Sequence, residues 1–302
     1  MSVAELEMVR VDVFAEELFT GNPADVVLEA DSLDEMQMQR IASEAGLAAT
    51  AFAMRSRRAD LRLRFFSPHS EEPFSDHASM AAIWVLAESG SLGAVPAGRR
   101  RLETPVGILP FTVESDSGRP QRIWMTQKRP LFAEEGDVKD IASALGVGVD
   151  SLFDEEFPVG KASTGVPYLL VPIRSIDIMG HLQPKREALA ELCRELDVAG
   201  VAAYSWGVLE EGSAVHLRCF APASHSFEEP ATGMAAGALV AYLVDRDFVS
   251  KGAHEAIVVE QGHWTGRPSR VLVRIEKKGE GIRKVEVGGA ARVSFRTRIA
   301  VP

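Results

Sequence analysis

The stretch Phe65–Leu86, FFSPHSEEPFSDHASMAAIWVL, returns in altered form as Cys219–Leu243, CFAPASHSFEEPATGMAAGALVAYL. Each copy opens on an aromatic residue and a proline, Phe66-Ser67-Pro68 and Phe220-Ala221-Pro222. Each runs through an acidic pair and a second proline, Glu71-Glu72-Pro73 and Glu228-Glu229-Pro230. A small polar turn then leads into an Ala-rich apolar helix, with His77 and Gly233 at equivalent places. A second echo, Phe19-Thr20-Gly21-Asn22-Pro23 and Ala162-Ser163-Thr164-Gly165-Val166-Pro167, repeats at nearly the same offset. Two echoes in one order imply a duplicated domain.

Outward from these stretches, Leu61, Leu63 and Phe65 alternate with Arg62 and Arg64, the pattern of a strand with one buried and one wet face. Val9–Phe14, Pro23–Leu28, Thr50–Met54, Leu102–Val113 and Gln121–Met125 also read as strands. Asp31-Ser32-Leu33 reads as the start of a helix that Gly46 ends. Near Gln127-Lys128-Arg129-Pro130 the chain crosses into its second half. There Asp137–Leu145 and Lys185–Leu196 read as helices, and Tyr168–Ile173, Ala202–Leu209 and Ala214–Phe220 as strands. Ile257–Gln261 and Arg270–Ile275 read as a hairpin, and Val285–Val293 as a closing strand. The order alone reads as an α/β pseudo-dimer of domains 1–126 and 127–284, with 285–302 a candidate strand returning to the first.

A chain of 302 residues that is 46% apolar can bury the cores of two domains. A net charge of −10 argues against nucleic acid or an anionic membrane as the main partner, though local dipoles can still hold a small anion. Two cysteines in apolar contexts, Cys193 and Cys219, fit a reducing compartment with no disulfide framework and no metal site. With no signal-peptide pattern and no membrane-length apolar run, the expectation is a cytoplasmic protein.

A helix N-terminus exposes unpaired N–H groups and a partial positive charge, and small residues there let a carboxylate approach the backbone. Asp76-His77-Ala78-Ser79 and Thr232-Gly233-Met234-Ala235 stand at such places. The plain alternative is that small residues merely permit tight helix packing.

These residues resemble the PhzF (phenazine biosynthesis) family of the diaminopimelate epimerase-like superfamily. The similarity runs through Val11-Asp12-Val13-Phe14, Gly21-Asn22-Pro23-Ala24, Met38–Glu44, Arg64-Phe65-Phe66-Ser67-Pro68, His77-Ala78-Ser79, Phe220-Ala221-Pro222, Glu229–Gly233 and Gln261-Gly262. The resemblance implies an α+β fold of two similar domains, each a barrel-like, mostly antiparallel sheet around a central helix, with the active site between them. It further implies a homodimer, no cofactor and a small carboxylic acid as substrate.

The chain departs from the family where chemistry is done. The family's Leu-Ser-Glu-Thr run is here Leu47-Ala48-Ala49-Thr50, so the proton-transferring Glu is replaced by Ala49. The turn usually written Cys-Gly-His-Ala is Ser75-Asp76-His77-Ala78, and the usual Glu-Asp-Pro-Val-Thr-Gly-Ser is Glu228–Met234, with Glu229 keeping an acid and Met234 replacing Ser. The two thiols of the epimerase relatives correspond to Ser75 and Thr232, which argues against a two-thiol racemase. Two readings follow. In one, the site is rebuilt around His77, Asp76 and Glu229 as the catalytic groups, with Asp76 raising the His77 pKa toward neutrality. Its substrate is lined by Asn22, Ala49, Thr50, Ser75, Ala78, Ser79, Thr232, Gly233, Met234 and Ala235. A more apolar pocket suits an unsaturated acid, such as the pyrroline carboxylate of the family's 4-alkylproline branch. In the other, the protein is a non-catalytic binder of a ligand or partner. His69 and His225 read as surface-turn residues, His216 as a structural histidine, and His263-Trp264 as lining either a cleft or a loop.

Overall fold

The computed structural model describes residues 5–93, 99–134, 138–152, 157–224, 226–249, 255–279 and 281–302. The first half carries strands β1 (Glu5–Val13) and β2 (Asn22–Val27), helix α1 (Glu35–Ala45), strands β3 (Thr50–Met54), β4 (Leu61–Phe66) and β5 (Glu71–Glu72), and helix α2 (Asp76–Glu88). Strands β6 (Arg100–Thr104), β7 (Gly107–Asp116) and β8 (Arg119–Thr126) complete it. The second half begins with β9 (Leu131–Glu134), α3 (Val138–Leu145), β10 (Gly160–Ser163), β11 (Pro167–Pro172), α4 (Ile176–His181) and α5 (Arg186–Glu195). Then come β12 (Gly200–Ser205), β13 (Val215–Phe220), α6 (Gly233–Asp245), β14 (Ile257–Gln261), β15 (Ser269–Lys278), β16 (Gly281–Gly289) and β17 (Ala291–Ala300). Contacts divide the chain into one unit of 1–126 with 288–302, and a second of 127–287.

The two units repeat one pairing order. In the first, β17, β1 and β2 pair antiparallel, β2–β3 is parallel, β3–β4 antiparallel, β4–β6 parallel, and β6, β7 and β8 antiparallel. In the second, β9, β10 and β11 pair antiparallel, β11–β12 is parallel, β12–β13 antiparallel, β13–β14 parallel and β14–β15 antiparallel. Antiparallel pairs dominate, so the fold is α+β rather than the α/β arrangement that the order of elements suggests.

One helix in each unit is enclosed by that unit's strands. Every residue from Asp76 to Val85 of α2 is buried, and it packs on β1, β2, β3 and β8. Helix α6 is buried continuously from Ala235 to Val244 and packs on β10, β11 and β15. A helix apolar on all sides has no face to offer water, so burial on every side follows. Alanine is what lets strands come close all round. The outer helices are one-sided instead: Met38, Ile41 and Ala42 of α1 face a core with Phe52 and Phe66, and Ile141, Leu145 and Leu189 of α3 and α5 face another with Val171 and Val201. Among the described residues, no helix is long and apolar enough to cross a membrane.

Four sequence readings shift. Helix α1 starts at Glu35, because Asp34 and Gln37 form a reciprocal capping box, and Ala30–Ser32 is only a short 3-10 turn. Leu102–Val113 is a hairpin rather than one strand, turning at Pro105-Val106 between β6 and β7. The strand read over Ala202–Leu209 ends at Ser205. Val285–Val293 is divided between β16 and β17, and the segment that pairs along β1 is Ala291–Ala300. Asp137 and His225 lie outside the described residues. The Thr20-Gly21-Asn22 turn demands its glycine: Gly21 has φ 69°, and a Cβ there would collide with the Val13 carbonyl oxygen.

Enclosure predicts intolerance to added volume. Ala82→Leu, at a site with no exposure, is expected to lower stability by about 1–3 kcal/mol in chemical denaturation. Met36→Ala, at a side chain 60% exposed on α1, should change it by less than about 0.5 kcal/mol.

Candidate active site

The enclosed helices each expose unsatisfied amides at their first turns. In the first unit Ser75 caps α2, its Oγ accepting the Ala78 amide at 3.4 Å, while the Ser79 hydroxyl donates to the Ser75 carbonyl at 2.7 Å. His77 is buried with Nδ1 3.4 Å from the Ser75 hydroxyl, and its Nε2 has no protein partner. Burial pushes its pKa down to about 4. This corrects the expectation that Asp76 raises the His77 pKa: desolvation governs, and the Ser75 hydroxyl meets the ring. His77 is a neutral imidazole with a free buried nitrogen.

Asp76 is buried at the start of α2, where a carboxylate complements the helix dipole. Ala78 and Ser79 are fully buried behind it, and Asn22 is buried at the head of β2. Strand alternation places Ala49, at the entry to β3, and Thr50 on opposite faces. Thr50 shares the side of Phe52, which packs with Met38, Ile41 and Ala42, and its buried Oγ1 has no partner. Ala49 is buried, with its carbonyl accepting the Asp25 amide. His69 is exposed, as a turn residue should be, and Glu44 is exposed on α1.

In the second unit Thr232 precedes α6 and makes no side-chain cap bond, and the first turn carries no acid. Its opening amides, at Gly233, Met234 and Ala235, therefore receive no cap bond from the Thr232 side chain, and no acid stands among the residues of that first turn. Ala231, Gly233 and Ala235 are buried; Glu229, Thr232 and Met234 are partly exposed. The second echo reaches this turn, the Thr164 hydroxyl lying 3.4 Å from the Met234 carbonyl.

Both turns are braced by a device that reading the sequence missed. Arg64 grips Glu71 with two bonds of 2.7 Å and lies over the Phe66 ring. Arg218 grips Glu228 at 2.7 and 2.8 Å and lies over the Phe220 ring. The signal was present as the repeated Arg-X-Phe of Arg64-Phe65-Phe66 and Arg218-Cys219-Phe220. In each acidic pair the first carboxylate is committed to this fork, Glu71 in the first unit and Glu228 in the second.

Beside the second turn lies a buried hub. Glu260 accepts from the Leu209 amide at 2.6 Å, the Glu210 amide at 2.9 Å and the His216 ring at 2.6 Å. Burial alone would raise its pKa, but these donors hold it near 2. Burial pushes the His216 pKa down despite the bond to Glu260. His263 bonds Glu210 at 3.0 Å, and the Trp264 ring meets His216 edge-on. His216, Glu260 and His263 bring potential ligand atoms within 4.8 Å of one another, yet both Glu260 oxygens already serve donors, so the set fits a hydrogen-bonded brace rather than a metal centre. His216 bonds Glu260 through Nδ1, while its buried Nε2 has no protein partner, so the expectation of a fully satisfied structural histidine holds for one ring nitrogen only. His263 and Trp264 belong to this brace. Burial pushes the thiols of Cys193 and Cys219 up to about 11 and 12, which leaves both as inert apolar groups.

A family profile described as "Phenazine biosynthesis-like protein" matches residues 11–297. The chain is 34% identical over 298 residues to "Uncharacterized isomerase YfhB" of Bacillus subtilis, covering 98% of each. It is 32% identical over 283 residues to the trans-2,3-dihydro-3-hydroxyanthranilate isomerase of Pseudomonas aeruginosa, covering 93% of this chain and 94% of the other. The crystal structure of a PhzF-family protein of Bacillus anthracis superposes with a TM-score of 0.89 at 29% identity, over 99% of this chain and all of the other. The fold is the diaminopimelate epimerase-like one that the resemblance implied.

Two outcomes are expected of these groups. The His77 ring resonances should stay unshifted through neutrality and move only near pH 4; a midpoint near the ordinary 6.5 would contradict the buried placement. Because the folded pKa lies below the unfolded one, His77 lowers stability as pH falls from about 6.5 toward 4. Arg218→Ala, which strands a fork whose side chains are 8% and 18% exposed, should cost about 3 kcal/mol in denaturant unfolding. Arg64→Ala, at 18% and 30%, should cost less, about 1–2 kcal/mol.

Proposed function

Because the chain belongs to the phenazine biosynthesis-like family, we propose that its isomerase activity is a cofactor-independent shift of a proton and a double bond along an unsaturated carboxylic acid of secondary metabolism. The observation that carries the reading is the buried, neutral, unpartnered Nε2 of His77 in the first turn of an enclosed helix. A polar atom kept dry and unbonded costs stability unless a ligand meets it.

Charge decides where the substrate carboxylate goes. Asp76 already occupies the positive end of α2, whereas the first turn of α6 has no acid and no side-chain cap. The carboxylate is therefore assigned to the amides of Gly233, Met234 and Ala235. Held there, its negative charge is partly neutralised, and loss of a proton from an adjacent carbon gives a delocalised anion that the oriented amides stabilise. Glu229, a carboxylate with access to solvent, is the group assigned to take and return the proton. A neutral imidazole is a hydrogen-bond partner rather than a resident acid, so His77 is assigned a binding role rather than proton transfer. Asp76 contributes local negative charge that keeps a second anion away from α2.

Ala49, where the family carries its proton-transferring Glu, argues against a simple repeat of the relatives' reaction. The apolar replacements at Ala48, Ala49 and Met234 each favour an apolar acid such as an alkenyl pyrroline carboxylate over a hydroxylated ring acid. The replacement at Ala49 also favours the second reading, a non-catalytic binder.

The two are separated by offering the protein trans-2,3-dihydro-3-hydroxyanthranilate and an alkenyl pyrroline carboxylate in heavy water and following deuterium uptake by NMR. Uptake or double-bond movement in the pyrroline is expected, with Glu229→Gln lowering the rate at least about 100-fold. The absence of exchange in both acids, with folded protein, would overturn the isomerase reading in favour of binding.

A further inference from the structure

We propose that Gln261 is a positioning residue for Glu229, acting through the backbone of the turn Glu229–Thr232; this rests on the proton-shift reading above. Gln261 is 1% exposed. Its Oε1 accepts the Thr232 amide at 3.0 Å, and its Nε2 donates to the Glu229 carbonyl at 3.0 Å, with the Thr232 hydroxyl 3.4 Å away. One side-chain amide thus ties both ends of the four-residue turn, using both of its donor hydrogens and one acceptor position.

The clamp is itself held in place. Gln261 closes β14, opposite Leu217 of β13 and Ser269 of β15, so its backbone is fixed on two sides. Its neighbour Glu260 is the centre of the buried hub, tied to His216 and two amides. On the other side Gly262 adopts φ 88°, and a Cβ there would lie 2.6 Å from the Pro230 carbonyl oxygen and collide with that of Arg267. Glycine is therefore required for the strand end to press against the turn. The Gln261-Gly262 pair, which reading the sequence left without a role, has one here.

The first unit shows that the clamp is not a general property of the fold. Leu61 pairs with Leu102 as Val215 pairs with Val259, so Thr104 stands at the register of Gln261. Its hydroxyl donates locally to the Gly107 carbonyl at 2.9 Å. The first turn is instead tied internally, by Ser75 and Ser79. The second turn lacks such a cap and is fixed from outside. Glu229 sits on the turn that this arrangement fixes, and its first residue is one of the two that Gln261 holds.

The test compares Gln261→Ala and Gln261→Glu in the wild-type and in the Glu229→Gln protein, using the deuterium-uptake assay. Gln261→Glu keeps the shape but loses both donors. Each single variant should lower kcat about 10- to 100-fold, the cost of a misplaced reacting group, with KM within about threefold. In the Glu229→Gln background the Gln261→Ala change should cause no further loss, because its effect runs through Glu229. Wild-type kcat in Gln261→Glu, or losses that multiply in the double variant, would overturn the proposal. A wild-type protein that turns over neither acid defeats the proton-shift reading instead. The clamp is then decided by hydrogen exchange: Gln261→Ala should speed exchange of the Thr232 amide at least about tenfold, and unchanged exchange would overturn it.

Discussion

The constraint on which the rest depends is the burial of a helix that has no polar side. Helices α2 and α6 cannot lie on a surface, so strands must wrap them, and the same succession of parallel and antiparallel pairs does so in both units. An enclosed helix still has unsatisfied amides at its N-terminus. Those amides, and the side chains of the turns leading to them, are the polar groups that enclosure cannot remove. The fold thereby creates two anion-friendly points, and the sequence decides what each does.

The two points have diverged. At α2 a serine cap, an aspartate and a histidine fill the first turn, and desolvation keeps the imidazole neutral. At α6 the Thr232 side chain makes no cap bond and the first turn holds no acid. Around both, an arginine fork fixes the approach: Arg64 with Glu71, Arg218 with Glu228. Each fork removes one acid from the chemistry and stiffens the chain just before the turn. Half-buried bidentate pairs of this kind give geometry more than net stability.

Much of this was legible in the sequence because a duplication prints itself twice. The paired acidic-Pro-Ala stretches located both central helices and both turns, and the alternation of Leu61, Leu63 and Phe65 placed β4 with its buried face. What stayed hidden depended on contacts between distant positions. The capping box of Asp34 and Gln37 outcompeted the apparent start at Asp31. The hairpin at Pro105-Val106 is invisible to periodicity because both arms alternate. The His77 pKa went the wrong way on sequence reasoning, since adjacency to Asp76 is local while burial is a property of the whole unit. Gln261 lies far along the chain from the turn it ties, and Glu260 and His216 meet only through the β13–β14 register.

The central claim is that the unguarded first turn of α6 receives the substrate's carboxylate. The most direct measurement is a titration of isotopically labelled protein with 3-hydroxyanthranilate, an unreactive aromatic acid, followed by backbone amide NMR. Saturable shifts at the Gly233, Met234 and Ala235 amides, absent when the carboxamide replaces the acid, are the predicted result. Shifts that leave these amides untouched, or that persist with the carboxamide, would contradict the account.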